Sequence, residues 1–373
     1  MYKSKNLCYN QLTLKREGSP MPTAVPGLFG IQHANRDYTQ PETWGKNQFN
    51  SSFPAALACY LHSRGLQAVY IKADARLSSA IDRIGIDEVF GIDPMSVRTY
   101  YAFESPFLPY QRYVVGNIPR NDLVIMDRET STCLSSLEIK LTALPDNSTC
   151  HLTENLYGSE LVIRPDTIIY LACSIIQKFG SREELLDLLD TVGTYIADWT
   201  QADHVIPYLA QMRTVIQHIV EQKNDLQTPI ILQPIWKTEG KSPRLAYNCL
   251  DVFVWSDFGM LNLFLPSPDE YFQAISRHTR SMVWLFKMLF DYSRQGYFDG
   301  QRIIDELSFN TKNDKAFSTN GKRTHPLMAC PELTCPRITK DAIRKIILGG
   351  GQNLLSPERR FDAIIYNSPD LFD

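Results

Sequence analysis

Residues 121–142, NDLVIMDRETSTCLSSLEIKLT, restrict the fold of this chain more than any other stretch. An apolar run from Asp122 to Met126, polar turn residues and a second run from Leu134 to Thr142 predict a β-hairpin. In the second run Leu137, Ile139 and Leu141 alternate with Ser136, Glu138, Lys140 and Thr142. A period of two puts the apolar set on one face and Glu138 with Lys140 on the other. With the turn centred near Thr130, paired residue numbers sum to about 260, so Asp122 lies across from Glu138. Directly opposed residues sit roughly 4.5–5.5 Å apart at Cα. Two like charges at that distance destabilise a sheet, and a cation that both can bind removes the penalty. Lys140 lies about 7 Å further along the same face. Asp127 is the competing first carboxylate. It is expected to pair with Cys133 beside the turn, roughly 17 Å from the level of Glu138, so the register favours Asp122. The alternative is an edge hairpin with a solvated Glu/Lys face; the matched register of D…E-x-K favours a metal site.

At these residues the chain resembles a known family. Asp122 followed by LVI, then LEIK after a turn, is similar to the PD-(D/E)XK nuclease motif, with Asn121 where proline is commonest. The residue before the aspartate carries no chemistry, so that departure is mild. GLFGIQHANRDYTQ, WGKNQFNSSFPAALACYLHSRG and SLEIKLTALPDNST resemble type II restriction endonucleases of the HindVP/HgiDI kind, over residues 28–150 above all. The resemblance implies an α/β restriction-endonuclease-like core with a central mixed sheet flanked by helices and a helix-rich C-terminal elaboration. It implies a Mg²⁺-dependent endonuclease cutting both strands of duplex DNA, with Asp122, Glu138 and the Ile139 backbone carbonyl at the metal and Lys140 in catalysis. A two-fold homodimer on a palindromic, GRCGYC-like site and a cognate DNA methyltransferase as genetic partner follow from the resemblance alone.

Composition sets wider bounds. At 373 residues, 44% hydrophobic and 21% charged, the chain can bury a large core as one domain or two. The boundaries expected are an arm over 1–27, a nuclease core with a helical insertion over 28–260, and a helical, DNA-recognising region over 261–373. No apolar h-region follows the N-terminus and no run approaches 18 apolar residues, so a cytoplasmic protein without membrane spans is expected. Eight scattered cysteines read as reduced thiols. A net charge of −3 argues against a polycationic DNA coater but leaves room for a local basic surface.

Two polar stretches suit such a surface. Residues 35–50 are rich in amides and cations, among them Arg36, Lys46 and Asn47. Residues 310–325, NTKNDKAFSTNGKRTH, carry Lys312, Lys315, Lys322 and Arg323 against Asp314 alone. Lysine and arginine meet phosphates, whereas Asn47 and Arg323 are candidates for base edges. A surface loop is the other reading of each.

The remaining pattern predicts scaffold. Ser51 or Ser52 caps a helix with Pro54 in its first turn, an Ala55, Ala58 and Leu61 stripe, and Gly65 as its stop. Leu66 to Ile71 is a buried strand, and Glu88 is a loop carboxylate with an extra metal-shell acid as the alternative. Pro145 breaks the second hairpin strand. Pro165 opens an apolar helix that ends at Gly180, and Ser181 with Glu184 forms a capping box for the next. A helix spans Ala202 to Lys223. Leu185, Leu188, Leu189, Val215, Ile216 and Ile219 are core residues. Strands run from Ile230 to Trp236 and from Cys249 to Trp255. Ser267 to Glu270 opens a long helix to about Arg294, stopped by Gly296.

Other chemistries find little support. Cys330 and Cys335 with His325 lack a second ligand pair for zinc. Gly349–Gly351 follows a helix and lacks Gly-Lys-Ser/Thr, which makes it a turn rather than a phosphate loop. No Gly-x-Ser-x-Gly elbow is present. A structure-selective PD-(D/E)XK nuclease of repair or recombination and a non-catalytic DNA-binding protein remain as alternatives.

Overall fold

A computed structural model describes residues 57–140, 142–145, 161–223, 228–238, 248–249, 252–266, 272–309, 315–319 and 338–339. The first described segment, 57–63, is helix α1. Leu57, Ala58 and Leu61 are buried on one face, and Gly65 follows with φ 64°, the left-handed conformation that closes a helix. Ser51, Ser52, Pro54 and Ala55 lie outside the described residues.

The strands are β1 (Ala68–Ala73), β2 (Ser79–Ile84), β3 (Thr99–Pro106), β4 (Arg120–Asp127), β5 (Cys133–Ile139), β6 (Thr142–Pro145), β7 (Leu161–Ile163), β8 (Pro229–Thr238), β9 (Asn248–Cys249), β10 (Val252–Ser256), β11 (Phe317–Thr319) and β12 (Ile338–Thr339). The central eight-stranded sheet runs β2-β1-β10-β8-β5-β4-β3, with β6 paired to β8. It is mixed: β1 runs parallel to β10, and β5 and β6 run parallel to β8, while the β3–β4–β5 meander is antiparallel. Strands β7 and β11 form a separate two-stranded ribbon. The α/β architecture is therefore the one expected.

The helices are α2 (Ile86–Phe90), α3 (Pro165–Lys178), α4 (Arg182–Gly193), α5 (Ala202–Val205), α6 (Leu209–Lys223), α7 (Asp257–Phe264), α8 (Arg277–Gln295) and α9 (Gly300–Glu306). In α3 ten consecutive residues from Thr167 to Ile176 are buried, which is why its sequence is apolar almost all round. It packs on α8, as α4 and α6 do, and α7 lies against β1, β8 and β10. Gly259 is required where α7 meets β1, because a Cβ there would stand 2.4 Å from the carbonyl oxygen of Ile71. Within the core, Lys178 forms a buried ion pair with Asp257, whose carboxylate also accepts the Ser174 hydroxyl at 2.5 Å. Burial pulls the Lys178 ammonium pKa down, and Asp257 opposes that.

Four expectations change. The second hairpin strand ends at Ile139, and its continuation is β6, so Pro145 closes a strand along β8 instead of breaking one. The helix expected over Ala202–Lys223 divides at Ile206-Pro207-Tyr208, a 3₁₀ turn in which Pro207 has no N–H to give the α-helical ladder. The long helix begins at Arg277, capped by Ser276, whose hydroxyl accepts the Thr279 N–H at 3.1 Å. Ser267 to Glu270 lie outside the described residues, and Phe272 to Ile275 are not helical. Glu88 sits in α2 and not in a loop. Its Oε1 accepts the Gly85 N–H at 3.2 Å, so it caps that helix.

Other expectations stand. Ser181 accepts the Glu184 N–H at 3.1 Å, the N-cap half of the expected box, while the Glu184 carboxylate lies 3.1 Å from Lys223 Nζ, and Gly296 ends α8 with φ 87°. Leu185, Leu189, Ile216 and Ile219 are buried, with Leu188 and Val215 packed against them in part. Cys59 and Cys173 are buried free thiols. Cys330, Cys335, His325 and Gly349–Gly351 lie outside the described residues. Among the described residues no helix is long and apolar enough to cross a membrane.

Candidate active site

The hairpin register brings the fully buried Leu123 and Leu137 opposite each other. Leu123 pairs with Leu137, Val124 with Ser136 and Ile125 with Ser135. Continued by one residue, that register sets Asp122 opposite Glu138, the placement expected from the sequence. Oδ2 of Asp122 accepts the Ile139 N–H at 2.8 Å, and the Lys140 ammonium pairs with the Glu138 carboxylate. These two side chains are only 16% and 15% exposed. The Lys140 N–H donates to the Leu232 carbonyl at 3.1 Å, which fixes the site against a central strand. Burial raises the Asp122 carboxyl to about 7, and the facing Glu138 adds to the rise, while Lys140 and the Ile139 N–H oppose it.

Asp127 belongs to the turn. A register shift between Ile125 and Met126 puts Met126, not Asp127, opposite Cys133, and the Asp127 N–H donates to the Thr132 carbonyl at 2.9 Å. Its carboxylate accepts the N–H groups of Thr130 and Glu129, each at 2.9 Å, and Arg98 Nη2 at 3.0 Å. The Thr130 N–H above all holds this carboxyl below the usual range.

Two further acids adjoin the site without any sequence signal for the role. Asp166, in the first turn of α3, has its carboxyl raised by burial and by Glu138, against Arg164, Lys140 and Arg120. In sequence it reads as an ordinary helix-start acid, favoured by the helix dipole. Glu104 on β3 has φ 47°, a left-handed conformation costing roughly 1–3 kcal/mol in a non-glycine residue. It adds to the rise at Asp122 and lies 3.6 Å from Arg120 Nη1.

Of the residues suggested for DNA contact, Arg36, Lys46, Asn47, Lys312, Lys322 and Arg323 lie outside the described residues. Lys315 is half-buried just ahead of β11. The fully buried Arg280, with its guanidinium over the Trp284 ring, donates to the carbonyls of Lys315 and Ala316 at 2.9 and 3.2 Å. Phe317 pairs with Ile163 in the β7–β11 ribbon, and β7 leads directly into Arg164, Pro165 and Asp166. The segment containing Lys315 is thus tied to the helix start that adjoins Glu138 and Lys140.

A profile of the HindVP restriction endonuclease family matches residues 44–372, which includes this whole constellation. The chain belongs to that family. It is 45% identical over 352 residues to the type II restriction enzyme HgiDI of Herpetosiphon aurantiacus, covering 93% of this chain and 97% of that protein. It is 44% identical over 364 residues to the probable type II restriction enzyme HindVP of Haemophilus influenzae, covering 96% and 98%. No solved structure matches. The family match and both relatives extend well past residue 150, so the likeness takes in the C-terminal half as well as the hairpin.

Proposed function

We propose that this chain is a type II restriction endonuclease of the PD-(D/E)XK kind, with Asp122, Glu138 and Lys140 as its catalytic residues. It hydrolyses phosphodiester bonds in both strands of duplex DNA at a short palindrome. The rung that sets Asp122 against Glu138, with Lys140 on the Glu138 carboxylate, carries this reading. Two like charges opposed in a nearly buried place are unfavourable alone and suited to a cation.

The donor set fits Mg²⁺. Among the described residues no three His, Cys, Asp or Glu side chains gather closely enough to cage an ion. Magnesium needs no such cage, since it binds through one or two carboxylates and keeps several waters. Asp122, Glu138 and the Ile139 carbonyl would hold it. Bound there, Mg²⁺ supplies a lowered pKa for a coordinated water and neutralises charge on the scissile phosphate. Asp122 is kept in place by the Ile139 N–H. Lys140 Nζ orients the attacking water and stabilises charge developing on the phosphate oxygens.

DNA specificity is assigned to residues 35–50 and 310–325, within a two-fold dimer that meets each half-site with the same surface. Replacing Lys312, Lys315, Lys322 and Arg323 together by alanine is expected to weaken binding and flatten its salt dependence. Site choice should also relax by about 1–3 kcal/mol per lost bidentate base contact. Unchanged salt slope and unchanged site preference would remove this loop from the recognition surface.

Digestion of supercoiled plasmid with Mg²⁺ tests the function as a whole. Discrete fragments are expected, with protection after treatment by a site-specific cytosine methyltransferase encoded beside the gene. Ladders or smears would indicate a structure-selective nuclease, and binding without cutting a non-catalytic protein.

A further inference from the structure

We propose that Arg120 and Arg164 form a phosphate clamp at the mouth of the Asp122–Glu138 centre, gripping the backbone of the DNA strand that is cut. The inference rests on the reading of that centre given above. Its first support is the hairpin pattern. On β4 the exposed Arg120 stands two residues before Asp122, with the buried Asn121 between them. On β5 Glu138 is followed by the buried Ile139 and then by Lys140. The strands run antiparallel, so both cations lie on the face of the two acids and toward the same end of the sheet. A row of acids is thus followed, about 7 Å along, by a row of cations.

Arg120 is steadied in that place. Its Nη1 lies 3.6 Å from Glu104 Oε2, and the glutamate is 13% exposed where the arginine is 46% exposed. A guanidinium carries five N–H donors in a planar fork, so one carboxylate can fix its direction and leave donors for a second anion. The other arm comes from α3. The Tyr170 hydroxyl donates to the Pro119 carbonyl at 2.7 Å, tying α3 to the residue before Arg120. Arg164, exposed at the N-cap of α3, is thereby brought to the same mouth. Burial raises the Asp166 carboxyl, and Arg164, Lys140 and Arg120 together oppose the rise, so all three cations act on this one acid. Acids that hold a metal repel a DNA phosphate on its way in. Guanidinium groups beside them offset that repulsion, and phosphate is an anion that their fork matches.

Binding of the full-length protein in chelator to a labelled plasmid fragment spanning one cut, measured against salt, tests the clamp. Arg120→Gln and Arg164→Gln are each expected to lower the slope of log affinity against log salt by about 0.9, the share of one phosphate, and to weaken binding about three- to tenfold. Arg120→Lys should keep the slope, since it keeps the charge. Mg²⁺ affinity, read by calorimetry without DNA, should not fall in any of the three. In the parent protein, a neutral methylphosphonate beside the cut should weaken binding by a similar factor, whereas Arg120→Gln should respond to it by less than about twofold. Unchanged slopes in both glutamine variants, with Asp122→Asn inactive, would overturn the clamp alone. A fully active Asp122→Asn would overturn the centre and the clamp with it. A lower melting temperature in Arg120→Gln with an unchanged slope would make that arginine a brace for Glu104 and nothing more. If the glutamine variants do not fold, the parent decides: methylphosphonates beside the cut that leave its binding intact would overturn the clamp.

Discussion

Asp122→Ala and Glu138→Ala are each expected to lower cleavage at least about a thousandfold, on the order of 4 kcal/mol in the barrier. DNA binding should survive, and in chelator it should improve, because each change removes one of two negative charges that repel the scissile phosphate. Plasmid cleavage with Mg²⁺ and filter binding without it, on the same preparations, separate the two effects. Asp127→Ala is the control. Its carboxylate anchors the turn through Thr130, Glu129 and Arg98, so its loss should lower the melting temperature. Cleavage below the melting temperature should remain. An active Asp122→Ala beside an inactive Asp127→Ala would mean that the turn acid, not the rung acid, serves the reaction.

Lys140→Ala is expected to cut the rate by about a hundred- to a thousandfold, the scale of one well-placed donor at a developing charge in a dry site. Mg²⁺ affinity should not fall, since an ammonium cannot ligate a cation and its removal leaves Glu138 without its ion pair. Lys140→Arg keeps the charge but not the compact ammonium geometry, and is expected to recover little. Single-turnover cleavage against Mg²⁺ concentration reads both quantities. Full activity in Lys140→Ala would reduce the E-x-K triplet to coincidence.

The rung of Asp122 and Glu138 is legible in the sequence because a hairpin is local: a turn and two alternating strands define the register within 22 residues. Near the turn the same logic slips by one, since the shift after Ile125 is a backbone irregularity without a residue signature. Glu104 and Asp166 are not legible, because strand and helix packing place them beside the rung and no spacing rule joins them to it. Parallel pairing of β5 and β6 with β8 is equally silent, as its partners lie about ninety residues apart. Pro145 shows a different limit. Proline is tolerated at the end of a strand, and Pro145 is the last residue of β6.

The β7–β11 ribbon has a bearing on the order in which the enzyme can be made. Ile163 finds its partner Phe317 only across 154 positions, 317 minus 163, and β5 needs β8 alongside it before Glu138 has a neighbour on both sides. At synthesis rates of about 5–20 residues per second, the hairpin leaves the ribosome many seconds before those partners do. A nascent or truncated chain ending before Phe317 carries Asp122, Glu138 and Lys140 but lacks the ladder next to Asp166. For any host that must translate a restriction enzyme, that topology makes the finished centre a late product of translation.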